Sequence, residues 1–388
     1  MPGSYNRLTH AMSCMGSYTI GRVWGIPIRV NISLVVFLPI LAYLIGSGGQ
    51  IAVYADVIET LAPVTLDAAD LAGQRWTVGV LAAVGLFVSV GIHELGHAWT
   101  AMRYGIHTES ITLWILGGLA RFTEMPKQWD REFWIAIAGP ITSFLVAGVC
   151  LLGLSAVPAS APVLVFVVGW LAVTNVVLAV FNLVPAFPMD GGRILRAVLA
   201  RFLSYTSATR IAARIGTVFA ILFAVVGVIA FSPILILLAF FIYGAATSES
   251  QMVVLADLLD DLTVGDLLIE TDPVDADETL DDLFPRLLAA RRTDLPVVDA
   301  GGNVVGVVTA QAMQRVDSAE YATTRVADLV TTDAPRLDAE MAAFDALVEL
   351  SQAGADVALV ERDGRVVGIV SRSDFSAALD LRRGKQPF

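Results

Sequence analysis

The residues with the most evident chemistry in this 388-residue chain are His93, Glu94 and His97, in the string HELGH. On a helix, residues four apart differ by about 40° and one turn, so both imidazoles share a face and can bind one metal ion. Glu94 falls on the adjoining face, close enough to act on a water at that ion without being a ligand, the general-base position of zinc peptidases. Catalytic zinc takes three protein ligands and keeps a fourth position open. The best candidate for the third ligand is Asp190 in FNLVPAFPMDGGR (181–193), where Pro185 and Pro188 break a helix and free the carboxylate to point inward. The competing assignment makes DGG a plain surface turn. Asn182 in the same fragment is an amide able to hydrogen-bond a peptide carbonyl or an oxyanion. Asn175, seven residues earlier on the same helical face, either shares that role or joins two helices.

These groups sit in apolar sequence. A bilayer-crossing helix needs about 20 apolar residues at about 1.5 Å each. Six candidates meet or approach that length, at about 30–46, 77–104, 132–156, 162–185, 208–231 and 233–248. A carboxylate and two histidines inside such a span are expensive unless they face a cavity and work there. Basic residues test the count. The N-terminal segment holds Arg7, Arg22 and Arg29, the 103–131 loop holds four, and the 186–214 stretch holds five; the alternate loops hold only Arg75. By the positive-inside rule both termini are cytoplasmic, as six crossings require. The stretches GRVWGIPIRVNIS before the first span and ESITLWILGGLARF (109–122) after the second alternate like short strands at the membrane surface.

Charge divides the chain. Residues 1–248 carry a net charge of +3 and residues 249–388 one of −15. So acidic a tail excludes nucleic acid as a partner. Basic residues are almost all arginine, a bias that suits the salty cytoplasm of a halophilic archaeon and that GC-rich coding also produces. Cys14 and Cys150 are the only cysteines and form no disulfide framework. The first 25 residues lack the apolar core of a cleaved signal peptide, so the first span is expected to direct a prokaryotic cell-membrane location.

The tail repeats itself. TVGDLL (263–268) matches RVADLV (325–330), DLPVVD (294–299) matches DVALVE (356–361), and GNVVGVVTA (302–310) matches GRVVGIVSR (364–372), all offset by 62. Each copy reads strand, helix, strand, Gly turn, strand, helix, an α+β unit. Asp266, Asp328 and the other tail carboxylates read as solvated surface.

HELGH in a span, followed about 90 residues later by NLVPAFPMDGGR, resembles the site-2 protease family of intramembrane metalloproteases. That resemblance implies six spans, with the HExxH helix second and the aspartate helix fourth. It implies zinc ligands at His93, His97 and Asp190, a catalytic Glu94 and a substrate-orienting Asn182. Gly139-Pro140 in IAGPITSF also resembles a family signature, read here as helix packing. ILGGLARF, with Gly117 and Gly118, resembles the family's membrane-dipping β segment, whose open strand pairs with unwound substrate. The repeat resembles a tandem pair of CBS (cystathionine-β-synthase) domains, which implies ATP or another adenine nucleotide between the copies and homodimerisation through them. Ser371 and Asp374 in GIVSRSD match the nucleotide signature, as does Thr309 in the first copy, where Ala312 replaces the aspartate.

The architecture expected is an N-terminal segment with a β-hairpin (1–29), an α-helical polytopic membrane domain of six transmembrane helices with small β elements (30–248), and cytoplasmic CBS repeats at 257–318 and 319–381. The function expected is zinc-dependent cleavage of single-span proteins in the lipid bilayer. Two other classes compete: a CBS-regulated transporter or channel, and an inactive protease-like scaffold. A ligand set suited to hydrolysis disfavours the first, and an intact Glu94 the second.

Overall fold

The alternation in GRVWGIPIRVNIS folds as a hairpin in which β1 (Ser17–Val23) pairs antiparallel with β2 (Ile26–Asn31). Its two-residue turn puts Trp24 and Gly25 at positive φ (52° and 84°), the mirror-image turn that matches strand twist. The structure is a computed structural model and describes residues 16–62, 64, 66, 71, 73–123, 126–290 and 294–383. Cys14 lies outside the described residues. The chain divides into two compact units, Met1–Val253 and Val254–Phe388.

In the first unit the Asn31 side chain caps α1 (Ile32–Gly46), accepting from the Ser33 N–H at 2.9 Å. Fifteen residues rise only about 22 Å, short of the hydrocarbon thickness. At Ser47 the backbone is extended, and the chain resumes as α2 (Gly48–Leu61), bent 68° from α1. The span expected at 30–46 is therefore the first arm of a bent pair, broken where Ser47-Gly48-Gly49 puts two glycines, poor helix formers, in succession. Five further helices among the described residues are long and apolar enough to cross a membrane: α3 (Arg75–Arg103), α4 (Trp129–Leu154), α5 (Pro162–Asn182), α7 (Tyr205–Ile229) and α8 (Pro233–Leu259). With the bent pair counted as one span there are six. A short helix, α6 (Asp190–Ala200), is inserted between α5 and α7. Outward-facing residues such as Leu152, Ile229 and Phe240 are more than two-thirds exposed, a surface that suits lipid.

Between α3 and α4 the chain forms β3 (Thr108–Trp114) and β4 (Gly117–Phe122), joined through Ile115-Leu116. Together with the N-terminal hairpin they make one sheet ordered β1-β2-β3-β4, with β2 and β3 parallel and β3 and β4 antiparallel. β4 is thus a terminal strand of the sheet.

The second unit shows the 62-residue repeat as two matching sheets. In one, β5 (Val274–Asp275) runs parallel to β6 (Asp294–Val298), which pairs antiparallel with β7 (Val304–Thr309). In the other, β8 (Arg336–Asp338) runs parallel to β9 (Val357–Arg362), which pairs antiparallel with β10 (Arg365–Ser371). Helices α9 (Leu280–Ala290) and α10 (Ala343–Ala353) occupy corresponding places. Asp266 and Asp328 do more than face solvent: each accepts a backbone N–H three residues back, from Thr263 (2.8 Å) and Arg325 (3.1 Å), and so caps a helical turn. The Thr263 bonds hold the Asp266 carboxyl below its ordinary range.

Candidate metal centre

His93 and His97 lie on the buried face of α3, α6 begins at Asp190, and both helices pack against α4, which brings together side chains 97 residues apart in sequence. The Nε2 atoms of the two histidines are 3.2 Å apart, and Asp190 Oδ2 is 3.1 Å from His93 Nε2 and 3.2 Å from His97 Nε2. All three residues are buried, and they are the only group of three or more potential ligands that converges so closely among the described residues.

The donor chemistry decides what this triangle can hold. His97 Nδ1 is 2.7 Å from the Ile135 carbonyl, which can only accept, so Nδ1 carries the proton and Nε2 presents a lone pair. His93 Nδ1 is likewise engaged, 2.8 Å from Ser143 Oγ. With Ser143 Oγ accepting the His93 Nδ1 proton as the Ile135 carbonyl accepts that of His97, lone pairs and a carboxylate oxygen face one another, an arrangement that calls for a cation. A tetrahedral zinc ion with bonds of about 2.0–2.1 Å separates its ligand atoms by about 3.3 Å, close to the sides of this triangle. The residues fit zinc, and each histidine has the outer hydrogen bond that orients a metal-binding imidazole.

Ile135, Gly139 and Ser143 recur every four residues and so form one stripe of α4 facing the histidines. Gly139 is there for space as well as packing. A Cβ at that position would lie 2.6 Å from His93 Nε2 and closer still to His97 Nε2, in the volume the ion needs. Sequence reasoning missed these three residues as parts of the site, although Gly139 and Ser143, a small and a polar residue four apart in an apolar span, were a legible signal.

Asp190 opens α6 after a loop that contains the cis Phe187–Pro188 bond, and the first turn of a helix favours a carboxylate. Glu94 stands beside the triangle but outside it, half-buried, its Oε2 accepting the Ala120 N–H of β4 at 3.1 Å. Gly118, two residues earlier on β4, lies so close that an added Cβ would come within 2.8 Å of Glu94 Cδ and Oε1. Gly117 starts the strand at φ 134°.

The two asparagines go to different places. Asn175 is fully buried and donates to Ser89 Oγ of α3 at 3.0 Å and to the Leu171 carbonyl, so it joins α5 to α3 one turn from His93. Asn182 ends α5, half-buried, with its Nδ2 turned back to the Leu178 carbonyl at 3.0 Å. In the second unit, Asp374 Oδ2 accepts from both the N–H (2.8 Å) and the hydroxyl (2.7 Å) of Ser371, capping α11 (Arg372–Arg383). Thr309 Oγ1 accepts the Ala312 N–H at 3.2 Å. All three residues thus serve helix starts at the ends of β10 and β7.

Residues 81–223 match the model of peptidase family M50, and residues 264–317 and 326–381 each match the CBS domain. The chain is 30% identical over 390 residues to Rip3 of Mycobacterium tuberculosis, whose name describes a zinc metalloprotease, covering 95% of this chain and 94% of that one. It is 29% identical over 376 residues to a zinc metalloprotease of Methanocaldococcus jannaschii, covering 95% and 98%. A solved site-2 protease from the same archaeon aligns at 34% identity with a TM-score of 0.42, covering 60% of this chain and 95% of that one. The chain belongs to peptidase family M50, as a metalloprotease whose helical membrane domain is followed by a tandem CBS pair.

Proposed function

We propose that this metalloprotease cuts single-span membrane proteins within or near their apolar segment, after the substrate backbone has joined β4 as an added strand. The observation that carries this reading is the Glu94–Ala120 hydrogen bond. β4 ends its sheet, and the Ala120 N–H points away from β3 toward Glu94. N–H groups alternate along a strand, so Gly118 presents its own on the same side. A strand laid along that edge runs beside the carboxylate. Peptide bonds in a membrane helix are shielded by their own hydrogen bonds, and strand addition exposes them.

His93, His97 and Asp190 hold zinc, which when bound supplies a Lewis acid that polarises a carbonyl and makes water a nucleophile near neutral pH. Glu94 removes a proton from water as its oxygen attacks the scissile carbonyl carbon. It returns that proton to the amide nitrogen as the C–N bond breaks, leaving a carboxylic acid and an amine, and transfer of the acid proton gives carboxylate and ammonium. Asn182, freed from Leu178, hydrogen-bonds the substrate backbone. Arginine distribution favours both termini, and with them the CBS pair, on the cytoplasmic side.

The test is cleavage of a single-span peptide in vesicles by purified enzyme, with products mapped by mass spectrometry. Cuts in the apolar segment, abolished by a chelator and restored by zinc, are expected; cuts confined to soluble flanks would sink the proposal. Gly118→Val should push Glu94 aside and lower kcat/KM about 10²-fold, the usual cost of misplacing a catalytic group by about 1 Å, with zinc content unchanged. Wild-type kcat/KM in that variant would mean that substrate does not pass along this edge.

The CBS pair is proposed to bind ATP or another adenine nucleotide through Ser371, Asp374 and Thr309, and to shift the protease between states that bind it unequally. Because Asp374 already caps Ser371, a ribose must compete for that carboxylate. Asp374→Ala should weaken ATP binding in equilibrium dialysis by about tenfold, the equivalent of one charge-assisted hydrogen bond. Equal affinity in the two proteins would exclude this cleft.

A further inference from the structure

We propose that Arg196 is the positioning residue of the metal centre: it rivets the helix that carries Asp190 to the helix that orients both histidines. The inference rests on the three-ligand metal reading and adds a residue that touches none of the ligands.

Arg196 lies on α6, six residues beyond Asp190, and is 1% exposed. Its Nε donates to Glu132 Oε1 at 2.7 Å and its second terminal nitrogen meets the same oxygen at 2.5 Å; the remaining one reaches Glu249 Oε1 at 2.6 Å. Glu132 is 2% exposed and lies on α4, three residues before Ile135, whose carbonyl holds His97, and eleven before Ser143, which holds His93. One ion pair therefore links the frame of the histidines to the helix that delivers the aspartate. Glu249 brings in α8 as well.

The guanidinium also lies 5.0 Å from the Phe187 ring and 4.9 Å from the Tyr205 ring. Phe187 is three residues before Asp190 and Arg196 six after it, so one side chain gathers the chain on both sides of the ligand. α6 has only 11 residues and follows an irregular loop, so its rotation about its own axis is set by tertiary contacts. A planar fork with several fixed donors can set it, whereas a lysine ammonium offers a single point of attachment.

A purely structural role would show as lost folding, and the experiment separates the two. Arg196→Gln leaves the Glu132 carboxylate buried without its partner and can unfold for that reason alone. The double variant Arg196→Met/Glu132→Gln removes both buried charges. In the full-length protein in detergent, zinc affinity is measured by competition with a chromophoric chelator, and site geometry by the visible absorption of the cobalt(II) form. The double variant is expected to keep wild-type helicity and elution while binding zinc about 10–100-fold more weakly, the range for losing an outer contact of a metal site, with an altered cobalt spectrum. Arg196→Lys should fall between the two.

A folded double variant with wild-type zinc affinity and an unchanged cobalt spectrum overturns the proposal. Should the double variant not fold, Arg196→Lys decides alone: weaker zinc binding supports the rivet, and wild-type binding overturns it. Asp190→Ala run alongside keeps two failures distinct. If that variant binds zinc as wild type does, the ligand assignment fails; if it loses zinc while the Arg196 variants do not, only the rivet fails.

Discussion

Glu94→Gln is expected to lower kcat about 10²–10⁴-fold, the contribution of a positioned general base, while zinc content stays at the wild-type level. The structure makes this a clean substitution. Glu94 lies outside the converging His93, His97 and Asp190 atoms, so its removal takes nothing from the ligand set. Its Oε2 accepts the Ala120 N–H, and the glutamine carbonyl can accept the same bond and keep the side chain in place. What is lost is the capacity to take a proton. Turnover and metal content measured on one preparation check the prediction; full turnover in the Glu94→Gln enzyme would move the base elsewhere.

Asp190→Ala should abolish stoichiometric zinc binding and activity together. Outer-shell substitutions cost metal sites about 10–100-fold in affinity, and removal of a ligand atom must exceed that. In this site Oδ2 forms two sides of the triangle, 3.1 and 3.2 Å from the two imidazole nitrogens, so its loss leaves two neutral donors and no anion. Metal analysis after dialysis is the direct measurement. Retained zinc with lost activity would make Asp190 a catalytic group and leave the third ligand unassigned. Together the two substitutions separate the roles: one should spare the metal and stop the chemistry, the other should remove the metal and the chemistry with it.

Much of this centre was legible because its chemistry is local. HELGH needs only one helix to align its two imidazoles, and α3 supplies it across Arg75–Arg103. The CBS repeat was equally legible, since a fixed offset of 62 residues needs no tertiary information. The approach of Asp190 depends on how α6 docks against the other helices, and no residue spacing states that. Gly139 was read as packing because hydrogen has no chemistry to announce; only the surrounding imidazole nitrogens show what its missing Cβ makes possible. Arg196 was misleading in the opposite way. Counted among the basic residues of a cytoplasmic loop, it is buried and paired with two acids far away in sequence, at 132 and 249. Hydropathy likewise reports how apolar α1 and α2 are, and is blind to the 68° bend between them.

The terminal position of β4 also bears on how water reaches a reaction buried among apolar helices. Hydrocarbon offers no partner for an unpaired backbone amide, so non-helical backbone at membrane depth persists only inside protein or against a hydrated space. An edge kept open for an incoming strand therefore demands wetting whenever that strand is absent. If substrate joins β4 as proposed, the feature that admits it also keeps the second reactant of hydrolysis at hand.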